Sequence, residues 1–220
     1  MARRDPIAHL SRHPDGPPPR LVAEILALGP AGITALLAIV AERTRWTADE
    51  VTVVNAIEVL TAASALEVVP TLLAIVAEVS DESDLYRSAI LALQELARPA
   101  LVEPVLAEPV GTNLTLVLSR CGVRDPRIAE RIEALLAVDG LFGAVAATAY
   151  GDPAHAPLLN AALDRVLEDA ELVERLDETD ALIHAILRLG GPEDALRARG
   201  RLLMAFDRWQ RIRDAEDRQR

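Results

Sequence analysis

A seven-residue run that occurs twice constrains the fold of this chain more than any other feature. Residues 36–42 read LLAIVAE, and the same letters return at residues 72–78, 36 positions further along. Repetition at a spacing of roughly 30 to 40 residues is typical of chains built by stacking one supersecondary unit. A second motif, Ala-Ile-x-x-Leu, also recurs, at residues 56–60, 89–93 and 185–189.

Short turn-forming stretches separate the apolar segments. They include Gly29-Pro30 and residues 151–153 and 190–192. Gly directly after a helix suits a left-handed C-cap, and Pro suits the first turn of the next helix. Strand patterns are nearly absent, because the β-branched runs lie among good helix formers. The sequence therefore predicts an all-α fold in which a helical pair recurs about six times. The equivalent anchor positions are Leu28, Leu60, Leu93, Cys121, Tyr150 and Leu189.

Helix starts are signalled at two further places. Thr47 and Glu50 have the spacing of a capping box, and residues 80–84 form a Ser/Asp cluster. In a capping box, the first side chain and the acid three residues later satisfy each other's backbone N–H groups. We therefore expect one helix to begin near Thr47 and another near residue 84.

These residues resemble a known repeat family. The runs at residues 28–30 (LGP), 150–159 (YGDPAHAPLL) and 189–195 (LGGPEDA) are similar to HEAT repeats, above all the short bacterial kind found in phycobilisome-lyase-type proteins. Residues 81–93 resemble the second helix of that repeat. The resemblance covers residues 21–205, although the Arg expected early in the second helix is displaced or missing in most units. It implies a right-handed α-solenoid of about six helical hairpins over residues 21–220.

The resemblance also implies which surfaces are available. In such a solenoid the Pro-entered helices form the convex face and the Ala-Ile-x-x-Leu helices line the concave face. The residues just before the motif's Ala are then expected to be exposed, with two neighbours nearby. The resulting candidates for partner contact are Asn55, Ser88, His184, Glu58 and Arg87.

The charge balance argues against two classes of partner. The chain has 34 acids against 23 basic residues, all of them Arg, for a net charge of -11. Residues 21–190 hold 26 of the acids and only eleven Arg, whereas both ends are mildly basic. An acidic body repels nucleic acid and anionic membranes, so neither is expected as a partner. HEAT-like DNA glycosylases, whose groove is basic, are disfavoured for the same reason. The acidic surface either serves solubility or attracts a basic partner.

The N-terminal region has a separate composition. Residues 1–20 are rich in Arg and Pro, which predicts a flexible arm rather than a helix. Arg3 and Arg4 are not followed by an apolar segment, so the region is not a secretory signal. Residues 25–41 carry no charge, but Gly29-Pro30 interrupts them, which disfavours a membrane span. We expect a cytoplasmic protein.

Chemistry-bearing groupings are few. Asp180, His184 and Arg188 share one helix face, and a carboxylate at this spacing could orient an imidazole as a general base. No nucleophile can be placed beside them, and charged stripes are common on exposed helices. His9 and His13 could seed a metal site only on a helix. There is no glycine-rich phosphate loop, HExxH or CxxC, and no signature for a tetrapyrrole. We expect no catalytic residue, no metal and no cofactor.

The last segment predicts a long helix over residues 193–219. An apolar stripe of Leu196, Leu203, Phe206, Trp209 and Ile212 has helical spacing, and Arg residues occupy the rest. The first interpretation is a cap that covers the end of the repeat array. The alternative is a docking helix, anchored by Phe206 and Trp209, that inserts into a partner or forms a homodimer.

Taken together, the sequence favours a non-enzymatic scaffold or adaptor. It would bind a protein partner, expected to carry a basic patch, on its curved acidic surface. The partner-contact candidates on its last two helices are Asp180, His184, Arg188, Phe206 and Trp209. The alternative is a HEAT-like enzyme that acts on a small molecule or nucleobase through the region of His184.

Overall fold

The computed structural model describes residues 5–168 and 172–217. Every element in these ranges is an α-helix or a short 3₁₀ turn, so the predicted all-α class is confirmed. The chain divides into two compact units, Met1–Pro109 and Val110–Arg220.

Residues 5–109 of the first unit contain seven α-helices. They are α1 (Pro19–Leu26), α2 (Pro30–Ala41), α3 (Arg45–Ala48), α4 (Glu50–Ala62), α5 (Val69–Glu78), α6 (Asp84–Glu95) and α7 (Val102–Leu106), with 3₁₀ turns at Ile7–Arg12, Leu66–Val68 and Pro99–Leu101. The central helix is α4, which packs against α2 on one side and α6 on the other, while α5 packs against α6. Fully buried side chains such as Leu36, Leu60 and Leu72 form the core between them.

The Ala-Ile-x-x-Leu motif lies on α4 and α6 in this unit. Ala56, Leu60, Ala89 and Leu93 are all 0% exposed. The four positions follow helical spacing, so each motif turns its Ala and Leu into the core. This part of the sequence prediction is confirmed.

Helix starts differ in one place from the sequence prediction. Ser83 caps α6 and accepts hydrogen bonds from the backbone N–H groups of Leu85 and Tyr86. The capping box of Thr47 and Glu50 does not form, because Thr47 lies inside α3. Glu50 instead accepts hydrogen bonds at its Oε1 from Ser83 Oγ, at 2.8 Å, and from Leu85 N, at 2.9 Å. The first residue of α4 therefore helps to cap α6.

The N-terminal region is packed, contrary to the expectation of a flexible arm at residues 1–20. Residues 7–12 form a 3₁₀ turn against α4, and Leu10 is fully buried. Asn55 of α4 donates from Nδ2 to the carbonyl oxygens of Leu10 and His13, both at 2.8 Å. Residues 7–18 form no α-helix, and the buried side chains of Leu10 and Asn55 hold this segment against α4. Pro19 and Arg20, which the prediction also placed in the arm, begin α1. Residues 1–4 lie outside the described residues.

The second unit contains α8 (Thr112–Ser119), α9 (Pro126–Val138), α10 (Gly140–Tyr150), α11 (Ala156–Glu168), α12 (Leu176–Leu189) and α13 (Pro192–Asp217), with 3₁₀ turns at Pro153–His155 and Leu172–Arg175. Helices α8, α10 and α12 contact one another in that order, and so do α9, α11 and α13. Each member of the first series also packs against the helix that follows it in the chain. Gly143 allows α10 to approach α9 closely, since a Cβ there would lie 2.7 Å from the Cα of Leu136.

Proline begins helices as the sequence predicts, and Gly151 ends α10 in the left-handed conformation, whereas Gly29 precedes α2 after α1 has ended at Leu26. Gly29 and Gly151 adopt φ angles of +62° and +71°, which favour glycine over any residue with a Cβ. Pro30 and Pro126 occupy the first turns of α2 and α9, where no backbone N–H is needed. Cys121 is buried, as predicted for its anchor position.

The orientation of α13 differs from the sequence prediction. Its buried residues are Ala195, Ala198 and Ala205, whereas Leu196 and Leu203 are each 71% exposed. The small alanines allow α13 to lie close to α11 and α12, so the leucines point to solvent. A stripe chosen by residue size alone therefore selects the wrong side of this helix.

Among the described residues, no single helix is long and apolar enough to cross a membrane. Helices α1 and α2 meet that length and composition only when taken together, and they are bent by 113° at the break between them.

Candidate functional site

A groove between α4 and α6 collects three of the residues that the sequence analysis singled out. We call it the α4–α6 groove; its volume is about 660 Å³. Glu58 contributes from α4, and Arg87 and Ser88 contribute from α6. The remaining lining residues are Pro14, Val54, Ile57, Thr61, Ala62, Asp84, Leu91, Ala92 and Glu95.

Helical spacing explains why these side chains share the groove. On α6, Asp84, Ser88, Leu91 and Glu95 lie at intervals of three or four residues and so face the same way. Pro14 of the N-terminal segment closes one side. The groove is thus built by α4, α6 and the docked segment, all within the first unit.

The charges in the groove are not balanced. Arg87 is engaged by its own helix: its Nη2 lies 2.7 Å from Asp84 Oδ1 and also donates to the carbonyl of Glu82. Glu58 and Glu95 have no ion-pair or hydrogen-bond partner in the part of the chain that the structure describes. Two carboxylates therefore face the groove without a cation.

The environment of Glu58 raises its pKa above the ordinary value of 4.5. The main cause is partial desolvation of the carboxylate, and the negative charge of Glu95 adds to it. Gly16 lies close to the Glu58 carboxylate, since a Cβ built on Gly16 would be 3.3 Å from Glu58 Oε2. Gly16 has a φ of +98°, which favours glycine at this turn. A cation placed beside Glu58 would relieve the repulsion between the two carboxylates.

An apolar surface lies beside the carboxylates. Leu91 lies in the groove wall and is 60% exposed, and the buried side chains of Ile57 and Ala92 form the base of the groove. The groove can therefore receive an apolar group and a cationic group next to each other. This combination fits a peptide side chain pair better than a free metal ion or phosphate.

Asn55 is the one candidate in this unit that the structure removes from the surface. It is 1% exposed, because the N-terminal segment covers it and its amide is used to hold that segment. The expectation that Asn55 is exposed is therefore wrong, and its contact with a partner stays a prediction. Sequence reasoning also missed Leu91 and Glu95, which line the same groove.

A second groove, between α10 and α12, contains Asp180 and His184. We call it the α10–α12 groove; its volume is about 420 Å³. Its other lining residues are Ala144, Val145, Thr148, Ala149, Asp177 and Ala181. Arg188 is exposed further along α12 and does not line the groove.

The α10–α12 groove lacks the contacts expected of a general base. The structure describes no hydrogen bond between Asp180 and His184 in residues 5–168 and 172–217. The hydroxyl that lines the groove, Thr148 Oγ1, donates to the carbonyl of Ala144 at 2.8 Å. An oriented imidazole and an activated hydroxyl would both need contacts that are not formed here.

The aromatic residues of α13 are half-buried. The rings of Phe206 and Trp209 lie 6.0 Å apart, and the guanidinium of Arg213 lies 5.1 Å from the Trp209 ring. These contacts are within the helix, and the role of the two rings as anchors in a partner stays a prediction. The exposed large apolar residues of α13 are Leu196, Leu203, Met204 and Ile212.

Within residues 5–168 and 172–217, no group of three or more His, Cys, Asp or Glu side chains could hold a metal ion. Comparison with known proteins finds no matching family model, no similar curated protein and no similar solved structure.

Proposed function

We propose that the protein is a non-enzymatic binding scaffold whose hairpins stack, within each unit, as HEAT repeats do. Its ligand is a segment of another protein that carries a basic side chain next to an apolar one. The binding site is the α4–α6 groove. The single observation that supports this proposal most strongly is the pair of uncompensated carboxylates, Glu58 and Glu95, beside the exposed side chain of Leu91.

The carboxylate pair favours a cationic ligand over a neutral one. Without a ligand, desolvation raises the pKa of Glu58, and repulsion by the negative charge of Glu95 adds to that rise. An Arg or Lys between them would replace this repulsion with two attractions. Because Arg87 is already paired with Asp84, it does not supply that cation.

Leu91 explains why the ligand should also carry an apolar side chain. An exposed leucine above a base of Ile57 and Ala92 offers apolar area that a partner side chain can bury. Burial of apolar surface contributes roughly 25 cal/mol per Å² before the entropic cost of binding. The apolar contact supplies affinity, and the carboxylates select the sign of the neighbouring charge.

The charge of the whole chain acts in the same direction. A net charge of -11 attracts a basic partner from a distance and increases the rate of encounter. Since this attraction is screened by ions, association should slow as salt rises.

A titration followed by NMR tests the proposal. The probe is a synthetic peptide of about 15 residues, long enough to form a helix, with Leu and Arg along one face. We expect the largest shifts at Leu91, Glu58 and Glu95. We expect binding to weaken about tenfold in the Glu58→Gln, Glu95→Gln double variant.

The matched control is a Glu67→Gln, Asp81→Asn double variant, which removes two exposed acids of the same unit outside the groove. It should bind the peptide nearly as well as the unaltered chain. Equal weakening in both double variants, or shifts spread over the whole acidic surface, would contradict a defined groove.

A further inference from the structure

The outward side of α13 is an unpartnered apolar surface. Leu196 and Leu203 are each 71% exposed and Met204 is 67% exposed. The opposite side of the helix packs on α11 and α12 through its alanines. Several large apolar side chains exposed together on one helix face mark an interaction surface more often than an isolated one does.

Gly200 lies between the two leucines in the sequence, at a position where the chain's own packing leaves room for a side chain. A Cβ built on it would meet nothing within 4 Å. Glycine is the poorest helix former after proline, so its presence here is not explained by the stability of α13. A glycine on an outward helix face allows the backbone of another element to approach closely.

Arg199 gives this surface a positive charge. It is exposed and has no ion-pair or hydrogen-bond partner in residues 5–168 and 172–217. With Leu196 and Leu203 it follows the spacing of one helix face. The outward surface of α13 therefore has apolar side chains at Leu196 and Leu203. Between these two lie a positive charge at Arg199 and, at Gly200, a position without a side chain.

The α10–α12 groove has the complementary character. Its α10 wall presents Val145 and Ala149. Phe142, seven residues before Ala149, is exposed on the same face of α10 outside the lining, and α10 carries no charged residue. Its α12 wall presents Asp177 and Asp180, which have no ion-pair partner among the residues the structure describes.

The apolar residues of the two surfaces also match in spacing. Phe142 and Ala149 are seven residues apart, as are Leu196 and Leu203. At 1.5 Å per residue, each pair spans about 10 Å along its helix. Small side chains at Ala144, Ala149 and Ala181 leave room for two inserted leucines.

We propose that the outward face of α13 docks into the α10–α12 groove of a second copy of this chain. Leu196 and Leu203 pack against Phe142, Val145 and Ala149 of that copy, and Arg199 pairs with its Asp177 and Asp180. The outward face of α13 points away from the α11–α12 surface on which the helix packs, so the contact forms between copies. Both halves of the match are present in one sequence, which favours a second copy over a different protein.

Sedimentation of the purified chain from about 1 µM to about 1 mM tests this proposal. We expect monomers at the low end and reversible assembly at the high end. Leu203→Glu or Val145→Glu should lower the association constant about a hundredfold, because either change buries a charge in the contact. Val138→Glu is the matched control: Val138 is 84% exposed, belongs to the same unit and lies outside both surfaces.

A charge exchange tests the orientation. Arg199→Asp and Asp180→Arg should each weaken assembly about tenfold, and the double variant should recover most of that loss. The five positions altered in the assembly variants are all exposed, so circular dichroism should show unchanged folding; they are Val138, Val145, Asp180, Arg199 and Leu203. A chain that stays monomeric to about 1 mM overturns the proposal, as does a double variant with no recovery.

The test of self-assembly is independent of the proposed peptide binding. The Glu58→Gln, Glu95→Gln variant alters only the first unit and should assemble like the unaltered chain. Loss of peptide binding with intact assembly, or the reverse, separates a failure of one proposal from a failure of the other.

Discussion

The side-chain nitrogen of Asn55 lies 2.8 Å from the carbonyl oxygen of Leu10, 45 residues earlier in the chain. The same nitrogen donates to the carbonyl of His13 at 2.8 Å. One buried amide on α4 thus holds the segment whose Pro14 and Gly16 lie against the α4–α6 groove. The shape of the candidate binding site depends on this contact.

Replacing Asn55 with Ala should release the N-terminal segment. The carbonyls of Leu10 and His13 would each lose one of two donors, since the backbone N–H groups of His13 and Gly16 still donate to them. At about 0.5–1.5 kcal/mol for each hydrogen bond, the expected loss is about 1–3 kcal/mol of unfolding free energy. Urea unfolding measures that loss, and hydrogen exchange should show faster exchange at residues 7–13. Ser11→Ala, an exposed change in the same segment, should leave both measurements nearly unchanged.

Glu58→Gln should stabilise the protein in a pH-dependent way. The pKa of Glu58 has its ordinary value of 4.5 in the unfolded chain and a higher value in the folded chain. Between these two pKa values the folded chain holds a proton that the unfolded chain has lost. The destabilisation of the fold by the charged carboxylate is therefore absent below pH 4.5. It grows as pH rises through this window and is complete above it.

Thermal unfolding at about pH 7 and about pH 4 measures this effect. The variant should melt at a higher temperature than the unaltered chain only at the higher pH. Glu67→Gln, an exposed acid of the same unit, is the control and should show a smaller difference between the two pH values. A gain that is equal at both pH values would contradict the assignment.

The twice-repeated run allows a comparison of identical residues in different surroundings. Val40 is 0% exposed, whereas Val76, its counterpart in the second run, is only half-buried. Val40→Ala should cost about 1.5–3 kcal/mol and Val76→Ala distinctly less, because less apolar surface is lost at Val76. Chemical unfolding of the two variants side by side gives the comparison, and equal costs would contradict the described packing.

Gly200→Ala should have opposite effects on two properties. The new methyl group meets nothing within 4 Å, and Ala is the better helix former. The free energy of unfolding should therefore rise by about 0.5–1 kcal/mol at a concentration where the chain is a monomer. Self-association measured by sedimentation should weaken, since the methyl group keeps a docked helix further away. Greater stability together with equal or stronger assembly would contradict a close contact at Gly200.

The sequence predicts the helical pattern well, because Gly, Pro and apolar periodicity act locally. The Ala-Ile-x-x-Leu motif places its Ala and Leu in the core of α4 and α6. Its third position is exposed in every copy, as Glu58, Leu91 and Leu187. That regularity is the signal by which Leu91 could have been found with Glu58.

Contacts between separate elements are what the sequence does not predict. The identical runs differ in burial, and the first of them ends beside α3, whose Trp46 donates to the carbonyl of Val40 at 2.8 Å. Helical periodicity predicts that Asn55 is exposed, but a segment more than 40 residues away in the chain covers it. In α13, the burial of alanines rather than leucines depends on how closely α11 and α12 approach. Each of these outcomes is decided by tertiary packing rather than by local preference.

Selection from a random peptide library displayed on phage tests the proposed function most directly. We predict that the unaltered chain enriches peptides with an Arg or Lys three or four positions from an apolar residue. We predict that the same peptides are lost on the Glu58→Gln, Glu95→Gln variant and retained on the Glu67→Gln, Asp81→Asn control. Enriched peptides without a basic residue, or equal retention on both double variants, would contradict the account.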